Sequence, residues 1–321
     1  MTPDGNYVAF YSLASNLVVG DTNGSWDVFV RNMLTGTTSR VSVASNSQQG
    51  NGHSYQPSIS ADGRFIAFYS EASNLVTVDT NGKYDIFVHD MLTRATIRVS
   101  VDSNGEQLDA SSQNPSISAD GRYVVFESDA ADPDPEDNSS LIEIFLHDIQ
   151  TGQTSMISVA SDGTQANGSS SDAKISSNGR YVVFESYANN LSSLDTNFDT
   201  DIFLRDRQLG TTTLVSVNSS GIKGNANSEG GRVTPDGQYV VFSSYATNLV
   251  TGDTNDFPDV FVHNMQTGST VRASVSSTGQ EGNQPSWASA ITPDGQYVLF
   301  ASASSNFITG DTNTYTDGFI T

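Results

Sequence analysis

Six Asp-Gly or Asn-Gly pairs, Asp4-Gly5, Asp62-Gly63, Asp120-Gly121, Asn178-Gly179, Asp236-Gly237 and Asp294-Gly295, follow one another at a constant spacing of 58 residues. Such a period marks repeat architectures, in which each unit buries its apolar surface against its neighbours and not within itself. It also means that a residue type recurring in every unit first calls for a structural explanation.

The second unit shows the pattern. Gln56-Pro57-Ser58-Ile59-Ser60, the turn Ala61-Asp62-Gly63 and Arg64-Phe65-Ile66-Ala67-Phe68-Tyr69-Ser70 read as strand, tight turn, strand. An Asp-Gly pair predicts a type I′ hairpin, whose central residues both need positive φ. After a polar stretch come Asp85-Ile86-Phe87-Val88-His89, a turn through Arg94, and Ile97-Arg98-Val99-Ser100-Val101. At the position of Arg94 four sister units carry Gly36, Gly152, Gly210 and Gly268. Each repeat is therefore an up-and-down meander of four short strands, a to d, and no segment keeps a helical period. The b strands are apolar on both faces, as in Tyr7-Val8-Ala9-Phe10-Tyr11. That pattern fits small sheets stacked face to face around an axis, the blades of a β-propeller. A parallel β-helix is the alternative, but its rungs do not use two tight hairpins per repeat.

Thr234-Pro235-Asp236-Gly237-Gln238-Tyr239-Val240-Val241-Phe242-Ser243 and Asp259-Val260-Phe261-Val262-His263 resemble the TolB-type, WD40-like propeller repeat. The resemblance runs over essentially the whole chain. It implies an all-β propeller of four-stranded antiparallel blades, read here as one domain spanning residues 1–321. It implies no single function, because such propellers serve as docking platforms, adaptors and parts of enzymes. The 58-residue offset gives six b and six c strands but five a and five d strands. Six blades with incomplete ends are expected; in a five-bladed alternative, residues 286–292 would complete the first blade. Incomplete blades expose strand edges, so the chain is expected either to belong to a longer array or to complete its ends with a second copy, as an oligomer or filament.

With 36 acidic and 14 basic residues the formal charge is −22, which argues against nucleic acid or an anionic membrane as partner. Cations are the natural complement. Cysteine is absent, and no run is apolar enough to insert in a membrane. This composition is expected of an extracellular, cell-surface or periplasmic protein.

The two tight turns of each blade lie on one rim, so the long b–c and d–a connections share the other, the expected place for function. The b–c loops repeat an Asp-x-Asn start followed by a second Asp: Asp21, Asn23 and Asp27; Asp79, Asn81 and Asp85; Asp195, Asn197 and Asp201; Asp253, Asn255 and Asp259; Asp311, Asn313 and Asp317. These are candidate calcium ligands, since calcium takes six to eight hard oxygens in flexible geometry. The same residues also suit Asx turns that satisfy loop amides. Both readings stand on the sequence, as they do for the upstream Asn16, Asn74, Asn190, Asn248 and Asn306. The third repeat keeps acids at the first and seventh positions of this pattern, Asp137 and Glu143, but carries Ser139 in place of the asparagine.

No catalytic residue emerges. His89, His147 and His263 share one repeat position with Arg31 and Arg205, and His53 stands alone. No nucleophile elbow, zinc-protease helix or phosphate loop is present, although paired carboxylates for glycoside hydrolysis remain compatible with so many Asp residues. Trp26, Tyr84, Phe257 and Tyr315 near the b–c loops, with Trp287, suit either sugar and protein recognition or the capping of gaps between blades. The expected function is a non-catalytic scaffold or binding propeller with a protein or glycan partner on the long-loop rim. A glycan-active hydrolase or lyase, or the propeller part of a larger enzyme, is the alternative.

Overall fold

The computed structural model describes residues 1–130, 141–313 and 315–321. Met1–Ile157 with Ser177–Gly179 form one compact unit, and Ser158–Ser176 with Arg180–Thr321 form a second. The first holds three antiparallel sheets: β1–β3 (Tyr7–Ser12, Asp27–Asn32, Thr37–Arg40), β4–β7 (Ser54–Ile59, Phe65–Ser70, Asp85–Asp90, Thr96–Arg98) and β8–β11 (Ser112–Ile117, Tyr123–Ser128, Glu143–Asp148, Gln153–Met156). The second holds β12–β15 (Ser170–Ile175, Tyr181–Ser186, Asp201–Asp206, Thr211–Leu214), β16–β19 (Ser228–Val233, Tyr239–Ser244, Asp259–Asn264, Ser269–Arg272) and β20–β22 (Ser286–Ile291, Val298–Ser302, Asp317–Ile320). In every sheet the strands lie in chain order, which is the meander of a propeller blade.

The end sheets have three strands each, as expected. The five-bladed alternative does not hold, because β20 pairs with β21 across Ser286↔Ser302 to Ile291↔Val298 and so starts a sixth sheet of its own.

Each blade is built around one cross-strand ring pair. Phe68 and Phe87 face each other across β5 and β6 at 5.9 Å, and Phe10–Phe29, Phe126–Phe145, Phe184–Phe203, Phe242–Phe261 and Phe300–Phe319 repeat the pair at 5.5–6.0 Å. Such a pair stabilises by about 0.5–1.5 kcal/mol beyond its burial. Neighbouring blades pack through aliphatic residues: Val28, Val30 and Val41 of the first meet Ile66, Phe68 and Leu75 of the second.

The Asp-Gly turns depart from the type I′ expectation. Gly63 has φ +74°, but Asp62 does not take positive φ. Gly63 N donates to Ser60 O at 3.0 Å, closing a turn one residue earlier. The Asp62 carboxylate then holds it, since Oδ1 accepts from Ser60 Oγ at 2.6 Å and from Arg64 N at 3.0 Å. The aspartate is thus selected for its acceptor and not for its backbone freedom. The d strand expected over residues 97–101 ends at Arg98; Val101 instead bridges Gln107 in a small side turn.

Candidate functional site

The structure gathers the residues of each acidic loop and adds a partner to them. Asp27 opens β2 and is fully buried. Its Oδ1 accepts from Ser42 Oγ at 2.5 Å; its Oδ2 accepts from Gln49 Nε2 and Asn23 Nδ2, both at 3.2 Å, and from Arg40 Nη1 at 3.3 Å. Asp21 faces the same Arg40 Nη1 at 3.3 Å and accepts from Gln49 Nε2 at 2.9 Å. The second blade repeats this, with Gln107 donating to Asp79 and Asp85 at 3.0 and 2.8 Å and Arg98 Nη1 standing 4.0 and 3.6 Å from them.

The asparagine of every described loop forms an Asx turn. Oδ1 of Asn23, Asn81, Asn197, Asn255 and Asn313 accepts the amide two residues on, at 2.7–3.2 Å. The upstream asparagines join loops as well: Asn74 accepts from Asn51 N and donates to Gln49 O, both at 2.9 Å.

Two blades vary the arrangement. In the fourth, Leu214 stands at the position of Arg40 and Lys223 at that of Gln49. Lys223 Nζ lies 2.8 Å from Asp201 Oδ2 and 3.7 Å from Asp195 Oδ1, so the cation is kept although its position moves. Burial still pushes Asp201 up to about 6. In the fifth, Glu281 replaces the glutamine, and Arg272 Nη1 sits 2.7 Å from Glu281 Oε1, 2.8 Å from Asp259 Oδ2 and 3.9 Å from Asp253 Oδ1. A carboxylate cannot donate as glutamine does, and Asp253 Oδ1 is left buried without a hydrogen bond. Burial, then the charge of Asp259, raises the Asp253 carboxyl above its ordinary range. Asp253, Asp259 and Glu281 are the one group of three or more acidic or metal-ligating side chains with ligand atoms all within 4.8 Å of one another among the described residues. Asp311 and Asp317 face no Lys or Arg within ion-pair distance among the described residues; Asn313 Nδ2 donates to Asp317 Oδ2 at 3.3 Å. Asp137 and Ser139 of the third repeat lie outside the described residues.

The repeat-equivalent histidines are structural. His89, His147 and His263 meet Thr96, Thr154 and Thr270 through Nδ1 at 2.8–2.9 Å. Each threonine hydroxyl donates to a carbonyl of the preceding repeat, Val43, Val101 or Val217, at 2.5 Å, so the imidazole must be the donor to the hydroxyl oxygen. Arg205 holds Thr212 the same way at 3.0 Å. Burial pushes all three histidines down, away from the protonated form.

Glu185 is the described carboxyl closest to a general acid, raised to about 7 by burial. Its Oε1 accepts the amide of Gly230, in the bulge of β16, at 2.6 Å. At the equivalent place Ser243 Oγ accepts the amide of Ala288 at 2.8 Å. A serine makes the same contact, so the position joins neighbouring blades.

One group escapes the repeat logic. Tyr11, Trp26, Tyr55, Tyr69 and Tyr84, all in the first unit, form a continuous aromatic cluster with Tyr55 at its hub, 5.8 Å from Tyr11, 6.3 Å from Trp26, 5.4 Å from Tyr69 and 6.4 Å from Tyr84. Tyr69 and Tyr84 meet edge to face at 83°. His53 adjoins the hub at 5.9 Å, and its Nδ1 accepts the Trp26 amide at 3.0 Å. Burial, then Glu71, pushes Tyr84 up to about 12. Tyr11 is exposed and the other four aromatics are half-buried, so the cluster presents ring surface to solvent. Trp26 and Tyr84 were legible as recognition candidates; Tyr11, Tyr55 and Tyr69 were not, because their neighbours lie on other strands. A signal does exist in the repeat alignment. Where blades one and two carry Tyr11 and Tyr69, the next carry Glu127, Glu185 and Ser243; where they carry Trp26 and Tyr84, the next carry Ile142 and Thr200. Phe257, Tyr315 and Trp287 lie outside this cluster.

The chain matches no protein-family model and no curated protein. Solved structures do share its fold. The tricorn protease gives a TM-score of 0.53 at 10% identity, over 98% of this chain and 30% of that one. TolB from Acinetobacter baumannii gives 0.49 at 16% identity over 94% of this chain and 62% of that one. The β-propeller domain of the Trilobed protease from Pyrococcus furiosus gives 0.49 at 14% identity, over 84% and 69%. With six antiparallel meander sheets the chain is a β-propeller repeat protein, and TolB structures are among the solved structures it resembles. It spans less than two thirds of the tricorn and A. baumannii TolB chains it matches, and the likeness concerns fold alone.

Proposed function

We propose that this propeller is a non-catalytic binding scaffold, acting outside the cytoplasm, whose recognition surface is the aromatic cluster of the first two blades. The observation that carries this reading is the break in repeat equivalence. Blades three and four form the same sheets with Glu127, Ile142, Gln113, Glu185, Thr200 and Ser171 at those positions, so the fold does not require aromatic side chains there. Ring surface that the scaffold does not need, half-open to solvent and beside carboxylates, is the usual material of recognition. A panel of peptides and oligosaccharides, screened against the protein and its Trp26→Ile/Tyr55→Gln variant, tests the reading. Class-specific binding lost in the variant supports it; turnover of a panel member, or binding that ignores the variant, contradicts it.

The acidic loops then serve the scaffold. In four of them a lysine or arginine of the chain faces the carboxylates where an added cation would sit. Calcium is assigned to the Asp311, Asn313 and Asp317 loop alone. Calorimetric titration of chelator-treated protein should show at most one weak site, abolished by Asp317→Asn; several tight sites would return calcium to the other loops.

A further inference from the structure

The recognition surface can be given a ligand class, on the footing of the reading above. The chain displays three times over how it holds a guanidinium. Arg64 lies over the Phe65 ring at 4.5 Å and pairs with Asp90 at 2.7 Å; Arg122 lies over Tyr123 at 4.7 Å and pairs with Asp148 at 2.7 Å; Arg180 lies over Tyr181 at 4.8 Å and pairs with Asp206 at 2.6 Å. In each, a ring face and a carboxylate grip one cation from two directions, adding cation–π attraction to a charge-assisted hydrogen bond.

The aromatic cluster offers the same two components. Glu71 lies at its edge with 40% of its side chain exposed; it accepts the His53 amide at 3.3 Å and a hydrogen bond from Tyr84, and among the described residues the one basic group within ion-pair distance is His53 Nε2, at 4.0 Å. Glu127 raises the Tyr69 hydroxyl further through its charge, after burial and the neighbouring tyrosines. Among the described residues no arginine stacks on these rings, whereas Arg64, Arg122 and Arg180 each have their own.

We propose that this surface binds a basic segment of a partner protein, with Arg or Lys side chains packing against the partly exposed Trp26 and Tyr55 rings and pairing with Glu71. The formal charge of −22 draws such a segment in, since long-range attraction raises the rate of encounter. A neutral glycan would also stack on the rings, but neither the carboxylate charge nor the field of the protein would favour it.

The experiment uses the full chain and a fluorescein-labelled oligoarginine peptide, followed by fluorescence anisotropy, with a neutral oligosaccharide series read by Trp26 fluorescence. Trp26→Ile and Tyr55→Gln install the residues that blade three carries at these positions, Ile142 and Gln113, and leave the net charge unchanged. The peptide should bind the native protein, weaken with added salt, and lose about ten-fold or more in affinity in the double variant, a loss of the size expected for stacked cation contacts. Glu71→Gln, which keeps the rings, should also weaken it. Undiminished binding in the double variant would reduce the attraction to overall charge and overturn the proposal. Saturable oligosaccharide binding without peptide binding would overturn it too while leaving the recognition surface in place; silence in both series would remove both readings.

Discussion

Gly63 packs against the ring of Tyr7. A methyl group placed on the Gly63 α carbon would stand 2.5 Å from Tyr7 Cδ2, well inside contact distance. Gly179 faces Tyr123, Gly237 faces Tyr181 and Gly295 faces Tyr239 in the same manner. The Asp-Gly pair that sets the 58-residue step therefore does more than turn the chain: its glycine is the floor on which the first residue of the preceding b strand rests.

Gly5 separates the two effects. It has φ +72° like its sisters, but nothing lies within 4 Å of an added methyl. Gly5→Ala should cost only the left-handed backbone penalty of about 1–2 kcal/mol, and Gly63→Ala about 2–4 kcal/mol once overpacking is added. Urea unfolding of the two variants checks this; equal losses would mean that the ring contact contributes nothing.

Arg94 offers the reverse experiment. It takes φ +62° at the turn where four sister repeats have glycine. Arg94→Gly should raise stability by about 1 kcal/mol by removing backbone strain. A lower melting temperature in this variant would show that the arginine side chain outweighs the strain.

The fifth acidic loop carries an imbalance that one substitution should relieve. Glu281→Gln restores the donor that Gln49 and Gln107 supply to their aspartates, and gives Asp253 Oδ1 a partner. A gain of about 1 kcal/mol is expected, the net value of a buried hydrogen bond. Unchanged or reduced stability would indicate that Glu281 is more valuable to Arg272 than to its neighbours.

Two sets of carboxylates give opposite pH dependences. The Arg122 hydrogen bond holds Asp148 down at about 2, and Arg180 lowers Asp206. Their stabilisation is present above about pH 4, the ordinary carboxylate range, and is lost as the pH falls toward 2. Burial raises Asp201 to about 6, so its contribution is present below about pH 4 and lost as the pH rises through 6. In melting curves across pH, Asp148→Asn should flatten the acid limb and Asp201→Asn the segment between about 4 and 6. Parallel curves for variant and native protein would contradict the assignment.

Most of the fold was legible because its rules are local and repeated. A turn residue with a fixed acceptor, a b strand apolar on both faces and a paired phenylalanine each leave a mark within a few residues. What escaped depends on distance along the chain. Arg40 meets Asp21, and Gln49 meets Asp27, only after the whole c–d hairpin has folded back. The exchange of Arg for Leu214 with the gain of Lys223 is visible in the repeat alignment, but its meaning needs the shared carboxylates. The aromatic cluster draws on β1, β4 and β5 and on residues preceding β2 and β6, and no local pattern joins them. The type I′ expectation failed by one residue, because a carboxylate acceptor and a tolerance of positive φ are both reasons to find Asp before Gly.

Hydrogen–deuterium exchange of the protein with and without bound oligoarginine peptide tests the central claim most directly. The account predicts new protection confined to Tyr7–Ser12, Ser54–Ile59 and Phe65–Ser70, the strands that carry Tyr11, Tyr55 and Tyr69, and to the residues before β2 and β6. Protection centred on the Asp311–Asp317 loop, or spread evenly over all acidic loops, would contradict it.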